Sequence, residues 1–218
     1  MNRAFSCLLD LLFPPRCVFC GRILSHGTGG ICPECQRSLP WLTEGEAEQT
    51  IEFCSCCAAP LRYQGAVRKS IHRYKFKGAQ GYAGAYGALV AQCVRDHLAG
   101  RYDLITWVPL SQKRRRERGY DQAFLLSSAA ALALDSVALE TLRKVRHTDA
   151  QSGLDGASAR RANVMGAYEA VDPALVAGRR VLLVDDVITT GATLSECARI
   201  LRTAGASDVV CATLTRAR

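Results

Sequence analysis

Two adjacent aspartates, Asp185 and Asp186, follow the apolar run Val181-Leu182-Leu183-Val184 and precede Val187-Ile188-Thr189-Thr190-Gly191-Ala192-Thr193. A carboxylate pair can accept hydrogen bonds from neighbouring hydroxyls of a sugar. Three threonines and a glycine suit a phosphate. The hydroxyls donate, the glycine admits close backbone approach, and a helix opening there aims N–H groups and its positive dipole end at an anion. Ribose 5-phosphate presents a vicinal diol and a phosphate about one sugar apart. A strand, a capped turn and a helix, with Asp186 exposed and Thr193 as N-cap, would account for any one of these residues. The thirteen together favour the phosphate site.

A second constellation is Cys17-x-x-Cys20 with Cys32-x-x-Cys35, eleven residues apart. Each turn directs two sulfurs at one ion, and two turns complete a tetrahedral thiolate shell. Structural zinc is the expected occupant, with redox chemistry or an iron–sulfur cluster as alternatives. Four thiolates leave no open position for catalysis. Cys54 and Cys57 repeat the spacing, but no later pair completes a second shell, so one zinc is expected. His26 stands beside the first cysteines as a weaker ligand candidate. Cys93, Cys197 and Cys211 are isolated and read as small buried apolar residues.

The elements that must position these groups alternate along the chain. Residues 1–65 hold a short leading helix, the cysteine pairs and an acidic connector from about 43, with Glu44, Glu46, Glu48 and Glu52. Residues 66–218 read as one α/β domain. Helices are expected at 79–98, 122–134 and 193–204, and strands at 104–109, 181–184 and 209–214. That order implies a mostly parallel sheet with helices on both faces.

Composition agrees: 49% apolar residues supply a core, and 218 residues suffice for one such domain with a small appendage. No apolar run is long enough for a membrane helix. Asp10 and the Pro14-Pro15 pair argue against a signal peptide, and the cytoplasm is the expected location. The formal charge of +8 is uneven, with six cations and no acid from Arg62 to Lys77 and five more from Lys113 to Arg118. Such runs suit an anionic partner or a solvated surface. Tyr63, Tyr74 and Phe76 among the first run could stack on the bases of single-stranded DNA, leaving that surface apart from the phosphate loop. The alternation from Arg73 to Lys77 equally fits a β-strand with Tyr74 and Phe76 inward.

Val181 to Thr193 resembles the phosphoribosyl diphosphate (PRPP) signature of type I phosphoribosyltransferases. With Cys17 to Cys35, Ile71 to Gly78, Val108-Pro109-Leu110, Arg118 to Ala123 and Gln151 to Leu154, the chain resembles the ComF family. Its members join a zinc ribbon to a phosphoribosyltransferase domain. The resemblance implies a link to competence and single-stranded DNA, and competence or recombination proteins as partners. It implies that Asp185 and Asp186 bind the ribose hydroxyls, and that PRPP comes with Mg²⁺. It also implies that Val187, Thr189, Thr190, Gly191, Ala192 and Thr193 form the PRPP loop, with Thr189 to Thr193 cradling the 5-phosphate. Arg118 and Gly119 fall where a pyrophosphate loop is expected, and Gln151 to Asn163, with Arg160 and Arg161, where a closing loop is expected. Many relatives carry a double zinc ribbon, which the lone Cys54/Cys57 pair leaves incomplete. Three readings stand: an active phosphoribosyltransferase of unknown acceptor, a non-catalytic DNA-binding competence factor, or an assembly module with a vestigial site.

Overall fold

The computed structural model describes residues 14–25, 28–146 and 157–217. Among the described residues there are eight strands: β1 (Glu48–Ile51), β2 (Cys54–Ala58), β3 (Leu61–Arg62), β4 (Leu104–Trp107), β5 (Leu142–Lys144), β6 (Tyr168–Ala170), β7 (Arg180–Ile188) and β8 (Asp208–Arg216). The main sheet runs β1-β2-β8-β7-β4, with β3 also on β8. All its pairings are parallel except β1 with β2. β7 and β8 carry unbroken apolar stretches because both faces of the sheet are covered.

On one face lie helices α3 (Gly65–Phe76), α4 (Ala83–His97) and α6 (Gln122–Ala133), together with the cysteine module and its helix α1 (Pro33–Ser38). On the other lie α8 (Ala192–Thr203), with α7 (Ala157–Val164) and the antiparallel pair β5–β6 packed beside it. The remaining helices, α2 (Glu44–Ala47) and α5 (Gln112–Arg118), are short. The glycine-rich stretch is helical despite its glycines, and Gly87 lets α4 approach α6 closely. A Cβ on Gly87 would sit 2.5 Å from Cβ of Ala129.

Two expectations need correction. The acidic connector forms α2 and β1 to β3, which hydrogen-bond into the sheet of the following domain. Its acids tie it down: Glu46 caps α2 and pairs with Arg62, and Glu48 bonds His97 at 3.0 Å. Arg73 to Lys77 ends a helix instead of forming a strand, since Val67, Ile71 and Tyr74 recur at helical spacing on a buried face. The leading helix, His26 and residues 151–156 of the expected closing loop lie outside the described residues, and the rest of that loop falls in α7.

Candidate functional site

The acidic pair sits inside β7, an interior strand between β8 and β4, because the strand continues to Ile188. Alternation along the strand sends the two carboxyls to opposite faces. Asp186 is 2% exposed and pairs with Lys75 on α3, Oδ1 to Nζ, at 2.7 Å. Its Oδ2 is buried and has no hydrogen-bond partner among the described residues. The Asp186 N–H donates to Oδ1 of Asp185 at 2.8 Å, and Thr215 donates its hydroxyl to the Asp186 carbonyl at 3.3 Å. Asp185 keeps some exposure, yet burial of its carboxyl, reinforced by the charge of Asp186, pushes it up to about 8. Lys75 opposes that shift. The pair therefore favours one proton at Asp185 beside an ion-paired Asp186.

After Ile188 the chain turns through the exposed Thr189 and Thr190 to Gly191, which caps α8 in the left-handed region at φ 78°. A side chain there would be strained, and a Cβ would meet Cγ2 of Ile51 at 3.0 Å. The β1–β2 hairpin thus walls the loop, and Ser195 on α8 donates to the carbonyl of Glu52 at 3.1 Å. Ala192 is buried beneath the turn, and its N–H reaches Oγ1 of Thr190 at 3.5 Å. Val187 packs against the core, and Thr193 lies in the first turn of α8. The segment from Thr189 to Thr193 is thereby set at the positive end of a twelve-residue helix.

The expected pyrophosphate loop, following β4, is largely the helix α5. Ser111 caps its start, and Gly119 ends it at φ 80°. Asp121 closes the segment on itself, accepting from the N–H groups of Leu110, Ala123 and Phe124 at 2.9 to 3.1 Å. Arg118 lies under two opposed influences: burial lowers its pKa, while the charge of Asp186 raises it. Its guanidinium covers the Phe76 ring at 4.8 Å and donates to Oε1 of Gln122 at 2.6 Å. Beside α5 is a cavity of about 930 Å³, lined among others by Trp107, Ser111, Lys113, Arg115, Asp121 and Lys144. Burial brings Lys144 down to about 8.

The four cysteines of the paired motif converge, with all Sγ atoms within 4.8 Å of one another. The separation of 3.7 Å between Cys20 and Cys32 fits the edge of a tetrahedron of thiolates about 2.3 Å from zinc. Burial works against a thiolate at Cys17, but bonds from the Cys20, Cys32 and Phe19 backbone outweigh it and bring the thiol to about 6. Donor type, number and spacing all fit structural zinc. Cys54 and Cys57 lie in β2 beside Cys211 of β8, with the Cys54 and Cys211 sulfurs 3.3 Å apart in the core.

Residues 121–218 match the phosphoribosyl transferase domain family, and residues 8–71 the double zinc ribbon domain family. Competence protein F of Haemophilus influenzae is 32% identical over 224 residues, covering 89% of this chain and 93% of its own. The chain belongs to the ComF family of competence proteins. The DNA utilization protein YhgH of Salmonella typhimurium is 31% identical over 91% of this chain and 96% of its own. The competence protein ComFC of Streptococcus pneumoniae is 26% identical over 85% and 74%. The solved structure of an allosteric regulatory enzyme of purine biosynthesis aligns with 65% of this chain at 23% identity and a TM-score of 0.45. This chain covers 29% of that enzyme.

In this ComF protein the structure brings Asp185, Asp186, the Thr189–Thr193 turn and the strand β7 together, with Arg118 near Asp186. Sequence reasoning missed Lys75, which reads as one cation in a surface run and instead reaches Asp186. Of the two readings of the rings, the inward one holds for Tyr74 and not for Phe76. Tyr74 is fully buried, and Phe76 is exposed but covered by Arg118. No spacing rule could find Lys75, because its partner lies more than a hundred residues along the chain. Among the described residues, no helix is long and apolar enough to cross a membrane.

Proposed function

We propose that this protein binds PRPP and transfers its 5-phosphoribosyl group to an acceptor with release of pyrophosphate, in the service of competence and DNA handling. The observation that carries this reading is the unpartnered, buried Oδ2 of Asp186 beside a glycine-capped helix start. A sugar hydroxyl donated to that oxygen would satisfy it, and the same sugar's 5-phosphate would reach the turn from Thr189 to Thr193. Asp185 and Asp186 hold the ribose. Arg118, with the backbone at Gly119, faces the diphosphate. An acceptor lone pair forms the new bond to the anomeric carbon while the bond to the diphosphate oxygen breaks, and pyrophosphate leaves with the electron pair. Fixed carboxylates favour the positive charge that develops on the ribose ring. Mg²⁺ bound with PRPP would neutralise the diphosphate. The residues contribute mainly by positioning. We place the protein in the cytoplasm, where buried free thiols such as Cys93 and Cys197 stay reduced.

The test is pyrophosphate release from PRPP with Mg²⁺ across a panel of bases, amines and nucleic acids. Release that depends on one acceptor class supports transfer. PRPP binding without release by any acceptor would leave a binding protein and remove the transferase.

A second reading, a non-catalytic factor that binds single-stranded DNA, draws on the exposed Arg68, Lys69 and Lys77 and on relatives named for DNA utilization. Binding by charge alone should weaken with salt along a log–log slope of about −0.7 per phosphate neutralised. Alanine at these three positions should flatten that slope and leave PRPP affinity unchanged. An unaltered slope would remove this surface from the reading.

A further inference from the structure

The last turn of α3 reaches three separate parts of the molecule. Arg73 donates to the carbonyls of Val18 and Phe19, both at 2.9 Å and both inside the first zinc-binding turn. One turn earlier, Ser70 donates to the same Val18 carbonyl. Tyr74 donates its hydroxyl to the Gln122 carbonyl at 2.8 Å and receives the Tyr120 hydroxyl on its own carbonyl. Lys75 meets Asp186, and Phe76 lies beneath Arg118. Four successive residues thus join the zinc turn, the segment after α5 and the acidic pair.

We propose that Lys75 is a positioning residue for Asp186, and that Arg73 sets its place by clamping the end of α3 to the Cys17–Cys20 turn. The ion pair occupies Oδ1 of Asp186 and leaves Oδ2 for a ligand. It also keeps a charged carboxylate in a buried position that would otherwise disfavour it. The zinc module, remote from the chemistry, thereby fixes the orientation of one carboxylate. This inference rests on the phosphoribosyl reading of the site.

The experiment is calorimetry of PRPP with Mg²⁺ on the full chain, with zinc content and melting temperature measured for each variant. Lys75→Met should lower affinity on the order of tenfold or more, the scale of a lost charge-assisted bond, and Lys75→Arg should restore part of it. Combining Lys75→Met with Asp186→Asn should cost little beyond Asp186→Asn alone, because one residue acts through the other. Arg73→Ala should keep its zinc yet lose affinity in the same direction as Lys75→Met. Additive losses in the double variant would overturn the positioning role, whatever the melting temperatures. Wild-type affinity in Arg73→Ala with zinc retained would overturn the clamp. If the wild type binds no PRPP, the proposed function falls and this inference with it. If the wild type binds and Lys75→Met binds equally well, the inference alone falls.

Discussion

Replacing Cys17 and Cys35 together with serine is expected to strip the protein of its metal and leave it insoluble or sensitive to protease. One tightly held zinc per chain should be found in the wild type. The converged sulfurs give the reason, since four thiols brought this close are held together by the ion that they share. Structural zinc in small modules contributes about 10–16 kcal/mol of apparent folding free energy, comparable to the whole stability of a typical domain. The damage should spread, because Ser70 and Arg73 bond to the Cys17–Cys20 turn and Phe19 packs on Tyr86. Metal analysis with limited proteolysis is the check. Two zinc ions per chain would restore the second ribbon at Cys54 and Cys57, and none would remove the module's purpose.

The second large effect is expected at the acidic pair. Asp185→Asn and Asp186→Asn keep shape but remove charge, and each should weaken PRPP binding roughly ten- to a hundredfold, as expected for a lost bond to a charged group. Their pH behaviour should differ. Asp185, raised in the folded state to about 8 from an unfolded value near 4, binds more protons folded than unfolded between these limits. Its contribution to stability is therefore greatest below about pH 4 and declines as pH rises towards 8. Ligand hydroxyls need the ionised form, so PRPP binding below pH 8 should release a proton and tighten as pH increases. Calorimetry in buffers of different ionisation enthalpy would count that proton. Asp185→Asn should abolish the release. A wild type whose affinity is flat from pH 6 to 8 would place the titrating group elsewhere.

The framework of the candidate site is legible in the sequence where local pattern and burial coincide. Val181 to Val184 is apolar because both faces of β7 are covered, and the following turn needs glycine for a left-handed cap. The two cysteine pairs carry their geometry in their spacing. The strands from Glu48 to Arg62 were hidden for the opposite reason. β1 alternates between exposed and half-buried residues, and β2 fills core positions with cysteines whose spacing suggests ligands. The helical period of α3 was obscured because cations and rings alternate over its last turn, although Val67, Ile71 and Tyr74 mark one face. Lys75 escaped notice because pairing across distant segments leaves no local trace.

The placement of β8 has a consequence for how the molecule is made. β2, β3 and β7 all hydrogen-bond to it, and Ser55 meets Asp208 across a separation of 153 residues. During synthesis β2 therefore emerges long before its neighbour exists. The zinc module can close early on local contacts, but the cysteine-bearing edge of β2 must wait with open backbone groups and bare thiols. Such long-range parallel closure is slow and exposes an adhesive strand edge meanwhile. For this chain the hazardous interval is the delay between its first strands and β8, when β2 is open both to other chains and to oxidants.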